Sequence, residues 1–190
     1  HGRCYFSSDD GRVYSLDART GEELWTFHTG LDDRMLLGNG RLISRWPSRS
    51  GVLGDGDTLY VVGGMWPSEG VAVYALDAGT GQVRWCNDTI NALYLPYPHD
   101  GLSLGGPTSQ GYLLSDGQVL AMPTGEGSPA LFHAATGELL YWDARPAGST
   151  WATLVDGFVA TPARGWQPNL PVRLGETELF RADGLAFFSL

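Results

Sequence analysis

The sequence predicts an all-β architecture of repeated four-stranded antiparallel sheets, and three observations lead to it. A turn segment recurs: Asp17-Ala18-Arg19-Thr20-Gly21 with Trp25 four residues on, Asp77-Ala78-Gly79-Thr80-Gly81 with Trp85, and a drifted His133-Ala134-Ala135-Thr136-Gly137 with Tyr141. The aromatic positions lie 60 and then 56 residues apart (85 − 25 and 141 − 85), too long for a helical pair and suited to four strands plus one long connection. The 27 glycines and 11 prolines among 190 residues punctuate short runs, and a 43% apolar share suffices for a core.

Alternation and turn residues place the elements in order. The first repeat starts at Cys4-Tyr5-Phe6 and lacks its first strand. In the second, residues 50–54 form a short first strand, Gly54-Asp55-Gly56-Asp57 turns, and strands follow at 58–63, 71–77 and 82–86. The third repeats this order at 111–114, 119–123, 130–133 and 138–142, with a Ser115-Asp116-Gly117 turn. A fourth opens at Trp151-Ala152-Thr153-Leu154, turns at Asp156-Gly157 and stops in 185–190. Two complete sheets, about 45–90 and 108–145, are thus flanked by partial ones at about 1–30 and 150–190.

The recurring motif has a physical reason. Asp at its first position, or His, accepts backbone N–H bonds within a tight turn, and glycine at its fifth supplies a positive φ. The aromatic four residues on falls on the outermost strand, where it can pack on the neighbouring sheet's turn and bury well over 100 Å². Recurrence of Asp17, Thr20, Gly21 and Trp25, of Asp77, Thr80, Gly81 and Trp85, and of Thr136, Gly137 and Tyr141 marks these as structural fasteners rather than ligand platforms.

Residues 14–25 and 74–85 closely resemble the pyrroloquinoline-quinone (PQQ)-type β-propeller repeat, whose Ala-x-Asp-x-x-Thr-Gly-x-x-x-Trp segment docks blade to blade. The resemblance covers essentially residues 1–188 and implies a partial ring of three to four blades within a larger bacterial protein, periplasmic or otherwise exported. Arg45-Trp46-Pro47, Trp85-Cys86-Asn87-Asp88 and Gln110-Gly111-Tyr112-Leu113 also resemble large bacterial members of that superfamily.

Composition narrows the partners. A net charge of −9 argues against a phosphate-binding surface and hence nucleic acid, and no apolar run approaches the ~18 residues of a membrane-spanning helix. All 12 basic residues are arginine, which reads as codon bias. Cys4 and Cys86 fit no metal spacing and are expected as two buried free thiols. The numbered chain contains no initiator Met, signal peptide or targeting sequence, and it is expected to be an excerpt of a longer protein whose other blades are its partners.

Connection lengths locate function. In an up-and-down blade the first-to-second and third-to-fourth connections share one end, and here they are short. The other end carries 27–47, 64–70, 87–110 and 164–178, with only Asp9-Asp10-Gly11 tight, and long connections gathered at one end are where binding is built. Arg45, Trp46, Ser48 and Arg49 enter there, as do Ser109 and Gln110 (with Thr108) and Trp151 (with Thr150). An Arg–Trp pair with hydroxyl and amide groups can hold a planar or anionic ligand, small molecule or protein. The plainer alternative pairs Arg45 and Arg49 with carboxylates such as Asp32 and Asp33 and puts Trp46 over the core.

Trp66-Pro67-Ser68-Glu69 and the aromatic-proline segment 94–99 edge the same end as stiffened loops. His99-Asp100 is not expected to be a catalytic dyad, since sequence neighbours rarely face each other productively. No metal set and no catalytic residue can be assembled from spacing. The resemblance implies that a PQQ site would need an adjacent-cysteine disulfide, a Trp platform and a calcium held by Glu, Asn and Asp. Cys4 and Cys86 are 82 positions apart (86 − 4), and no calcium motif is present. The reading is a non-catalytic ligand- or protein-binding scaffold. The alternatives are part of a PQQ-dependent alcohol or sugar dehydrogenase, and an adaptor of the outer-membrane assembly type.

Overall fold

The recurring turn forms as its residue types dictate. In a computed structural model, Asp17 Oδ1 accepts the amides of Arg19 (2.9 Å) and Thr20 (2.7 Å), Thr20 Oγ1 accepts that of Glu22, and Gly21 takes φ of 75°. Asp77 repeats this with Gly79 and Thr80, and Gly81 has φ of 73°. In the drifted copy the turn is closed by backbone bonds from Thr136 and Gly137 to the His133 carbonyl, with Gly137 at φ of 75°.

The structure describes residues 2–38, 40–91, 93–97, 101–125, 127–144, 150–155, 158–162, 172–174, 177–182 and 185–189, the last three stretches by backbone course and pairing. His99, Asp100 and the Asp156-Gly157 turn lie outside the described residues. The chain divides into two units, His1–Thr108 and Ser109–Leu190.

In the first unit, β1 (Arg3–Ser7), β2 (Arg12–Asp17) and β3 (Glu23–His28) make a three-stranded antiparallel sheet, blade 1, without a first strand as expected. A hairpin of β4 (Met35–Gly38) and β5 (Arg41–Ser44) follows. Blade 2 is a four-stranded meander of β6 (Leu53–Asp55), β7 (Thr58–Gly63), β8 (Ala72–Asp77) and β9 (Val83–Asn87), with a 3-10 turn at Pro67–Glu69 between β7 and β8. A second hairpin, β10 (Leu93–Tyr97) with β11 (Gly101–Gly105), closes the unit. Residues 27–47 and 87–110, expected as loops, therefore each carry a hairpin.

Blade 1 packs on blade 2 through Val13, Leu59, Val61 and Leu76, joined by Tyr5, Trp25, Phe27 and Tyr74. Each fully buried Val or Leu contributes roughly 1.5–3 kcal/mol. The indole of Trp25 lies on Gly81 and donates from Nε1 to the Ala78 carbonyl at 3.2 Å. Tyr5 Oη donates to the same carbonyl at 2.9 Å, and Arg3 reaches the Gly79 carbonyl at 2.7 Å.

In the second unit, β12 (Leu114–Ser115), β13 (Val119–Met122), β14 (Ala130–His133) and β15 (Leu139–Tyr141) form the next four-stranded sheet. Register shifts fall at Ser15/Leu16, Ala75/Leu76 and Leu131/Phe132, the same repeat position three times, so each outermost strand is twisted alike. A last sheet contains β16 (Thr153–Val155), β17 (Phe158–Pro162), β18 (Val172–Leu174), β19 (Thr177–Ala182) and β20 (Leu185–Ser189) in the order β16-β17-β20-β19-β18. The stretch 164–178, expected as a loop, thus contains β18 and the start of β19. Ala121, Leu131 and Val159 centre this unit's core.

The cysteines are free as expected, but both are exposed rather than buried. Cys4 pairs with Leu16 on the side of blade 1 turned away from blade 2, and Cys86 lies on the outermost strand of blade 2. Burial of its thiol half against the sheet and the nearby Asp88 charge raise the Cys86 pKa.

Candidate functional site

The end of the first unit that carries the long connections is built around Trp46. This residue is 3% exposed, its amide donates to Ser44 Oγ (3.1 Å), and its Nε1 donates to the Glu69 carbonyl in the 3-10 turn (2.6 Å). Two guanidinium groups lie against the indole, Arg34 at 5.4 Å and Arg45 at 5.6 Å from the ring centroid. Arg45 ion-pairs with the Glu69 carboxylate, so one residue of the 3-10 turn holds both the ring and its cation.

Arg49 donates from Nε to Asp9 Oδ1 at 2.5 Å, and Arg41 of the first hairpin bonds the other oxygen of the same carboxylate. The hydrogen bond from Arg49, with the charges of both arginines, holds Asp9 below the usual carboxylate range. Asp9 thereby ties the β4–β5 hairpin and the entry to β6 to the 8–11 turn, and the Ser44 amide adds a bond to its carbonyl (2.7 Å). Ser48 is buried and donates to the Val62 carbonyl at 2.8 Å.

Arg45 and Arg49 are thus paired, as the plainer alternative holds, but with Glu69 and Asp9. The expected carboxylates have other partners: Asp32 takes Arg34 (2.6 Å), and Asp33 takes Arg12 (3.1 Å) and lies 3.7 Å from His28. In the second unit, Ser109 donates to the Gly111 carbonyl (3.1 Å) and the Gln110 amide to the Pro123 carbonyl (2.9 Å). The Gln110 side chain is exposed and lies beside Gly125, while Trp151 is half-exposed with its carbonyl accepting from Thr161 Oγ1 (2.9 Å). The structure brings Arg45, Trp46, Ser48 and Arg49 together in one unit and places Ser109, Gln110 and Trp151 in the other.

An open cleft of about 590 Å³ runs between the first hairpin and the 3-10 turn, lined by Arg34, Met35, Leu36, Arg45, Trp66, Ser68 and Glu69. Its volume is that of small-molecule sites, and it opens to solvent as a surface groove. Beside it, Leu37 and Leu42 of the first hairpin and Tyr94 and Leu102 of the second are each at least 68% exposed, with Met35, Trp66 and Leu104 partly so. The cross-strand pairs Leu37↔Leu42 and Tyr94↔Leu104 put these side chains on one outward face of each hairpin. Sequence reasoning placed Trp66 and Tyr94 in stiffened loops at this end but passed over Leu37, Leu42 and Leu102 as loop residues. The signal was present in the apolar pairs flanking Gly38-Asn39-Gly40, a hairpin turn composition.

Among the described residues no group of three His, Cys, Asp or Glu could hold a metal. The free, exposed Cys4 and Cys86 belong to different sheets, so the chain's own residues do not supply the adjacent-cysteine platform that the resemblance would require for PQQ.

Residues 9–102 match the family described as outer membrane protein assembly factor BamB. No curated protein matches the chain. Among solved structures it is similar to quinohemoprotein alcohol dehydrogenase ADHIIG from Pseudomonas putida HK5, with a TM-score of 0.53 and 19% identity over 94% of this chain and 30% of that one. Similarity to the quinohemoprotein alcohol dehydrogenase of Comamonas testosteroni gives a TM-score of 0.51 and 16% identity over 94% of this chain and 30% of that one. The computationally designed protein Ika4 matches with a TM-score of 0.52 and 14% identity, over 86% of this chain and 81% of that one. The chain spans under a third of the length of the two dehydrogenases, and at these identities the likeness is one of fold.

Proposed function

The chain is a β-propeller repeat protein of the pyrroloquinoline-quinone type, and we propose that it is a non-catalytic scaffold that binds a protein partner through the long-connection end of its first unit. The observation that carries this reading is the pair of hairpins with outward apolar faces, Leu37 and Leu42 on one and Tyr94 and Leu102 on the other. Exposed apolar side chains gathered beside a groove are the usual mark of an interaction surface. The match of residues 9–102 to the BamB description supports the protein-binding form of the reading, and the proposed setting is periplasmic or otherwise exported. Arg45, Trp46, Ser48 and Arg49 then build the platform, while Gln110 and Trp151 offer exposed polar and aromatic groups in the second unit.

The test is recovery of a stoichiometric partner from the host with the intact polypeptide, compared with a Leu37→Ser, Leu42→Ser, Leu102→Ser variant of unchanged circular dichroism. Loss of the partner in the variant is expected; unchanged recovery rejects the hairpins as the surface. Titration of the intact polypeptide with PQQ and calcium, followed by dye reduction, tests the non-catalytic part. Turnover that depends on residues of this chain would overturn it.

A further inference from the structure

Between the roots of the two hairpins the first unit has a smaller pocket, separate from the open cleft. Its volume is about 170 Å³, and Leu31, Trp46, Val71 and Ala72 supply its apolar walls. Leu31 stands four residues before β4 (35 − 31), and Asn91, also in the lining, two residues before β10 (93 − 91), so both hairpins spring from its rim. Gly70 keeps the space open: a Cβ there would lie 3.5 Å from Trp46 Nε1 and 3.9 Å from Asn91 Nδ2. Small-molecule sites run from roughly 300 Å³ upward, so a pocket of 170 Å³ admits one long side chain rather than a whole ligand.

The polar groups decide which side chain. Each side-chain donor in the lining already serves a backbone carbonyl. Thr29 Oγ1 donates to that of Gly11 (2.9 Å), Trp46 Nε1 to Glu69 (2.6 Å), Tyr74 Oη to Thr29 (3.1 Å) and Asn91 Nδ2 to Val71 (2.8 Å). The groups left to meet an occupant are acceptors, Asn91 Oδ1 and the Asp88 carboxylate. The carboxylates of Asp9, Asp32, Asp33, Asp57, Glu69 and Asp77 each hold an arginine, whereas exposed Asp88 holds none among the described residues. Arg34 and Arg45 over Trp46 are neutralised by Asp32 and Glu69 and do not oppose a third cation. Apolar walls, spent donors and one unclaimed carboxylate suit a cationic head on a methylene stem.

Resting on the protein-binding reading of the hairpins, we propose that this pocket receives one basic side chain, lysine or arginine, of the partner protein. Its stem lies against Leu31 and Val71 and its charged head on Asp88 and Asn91. A pocket between the hairpin roots is central to the surface, where a few pocket-filling residues carry most of an interface's affinity.

A random peptide library displayed on phage and selected on the intact polypeptide tests this. The wild type is expected to enrich peptides carrying lysine or arginine, and these bind Asp88→Asn at least about tenfold more weakly. Glu22→Gln, which removes an equal charge from an exposed carboxylate at the short-turn end, leaves their affinity unchanged. Absence of basic enrichment, undiminished affinity for Asp88→Asn, or an equal loss in Glu22→Gln overturns the proposal, the last in favour of attraction by the overall charge of −9. The Leu37→Ser, Leu42→Ser, Leu102→Ser variant separates the two readings. Dependence on Asp88 without dependence on these leucines supports the pocket and rejects the hairpins; dependence on the leucines alone rejects the pocket and leaves the hairpins standing.

Discussion

The contact of Trp25 with Gly81 can be tested by a double-mutant cycle. Alanine at Gly81 must adopt φ of 73°, at a cost of about 1 kcal/mol. Its Cβ would also stand 2.7 Å from the Trp25 ring, overpacking that adds about 1–3 kcal/mol. Trp25→Ala alone removes a part-buried indole and its bond to Ala78, a loss near the lower end of the ~3–5 kcal/mol range for Trp→Ala. Once the ring is gone the overpacking vanishes, so Gly81→Ala in the Trp25→Ala background costs only the ~1 kcal/mol of φ strain. The expected coupling is therefore about 1–3 kcal/mol, read from urea unfolding of the four proteins by far-ultraviolet circular dichroism. If Gly81→Ala costs the same in both backgrounds within ~0.5 kcal/mol, the ring does not rest on the turn and the blades are fastened otherwise.

Three further outcomes are expected. Trp46→Ala should destabilise by ~3–5 kcal/mol as a buried indole, whereas Arg45→Ala, whose ion pair with Glu69 is about one-third exposed, should cost no more than ~1 kcal/mol; equal effects in urea unfolding would contradict a core role for Trp46. Ser48→Ala should cost ~1 kcal/mol through its lost bond to the Val62 carbonyl, and no loss would show that bond to be immaterial. Hydrogen bonds from Arg84 and Thr80 depress the Asp77 carboxyl from 3.8 to about 2, so its contribution is complete above its unfolded value and is lost as pH falls from about 4 towards 2. Asp77→Asn should flatten that part of a urea-midpoint profile, and an unchanged slope would remove the turn from the account of acid sensitivity.

What the sequence disclosed follows from what is local. The turn at 77–81 is dictated by a side-chain oxygen reaching amides two and three residues on, so β7 and β14 coincide with their expected spans and β8 and β9 nearly so. The hairpins were hidden because their strands are only four or five residues long and the first strand of each is apolar on both faces. Met35-Leu36-Leu37 and Leu93-Tyr94-Leu95 show no period of two, although alternate residues face opposite ways. Ion-pair partners were equally out of reach. Asp32 and Asp33 are nearer in sequence to Arg45 than Glu69 is, but the 3-10 turn at Pro67–Glu69 delivers Glu69 to the same indole that Arg45 covers. The cysteines were misjudged because residue type favours burial, whereas Cys4 occupies the side of blade 1 away from blade 2.

Site-specific photocrosslinking tests the scaffold reading most directly. A benzoylphenylalanine placed at Leu42 or Leu102 in the intact polypeptide, irradiated in the host, should give one discrete protein adduct common to both positions. The same residue at Arg19, on the short-turn end of blade 1, should not give that adduct. Absence of any adduct at Leu42 and Leu102, or an identical pattern at Arg19, would contradict the binding role assigned to the hairpins.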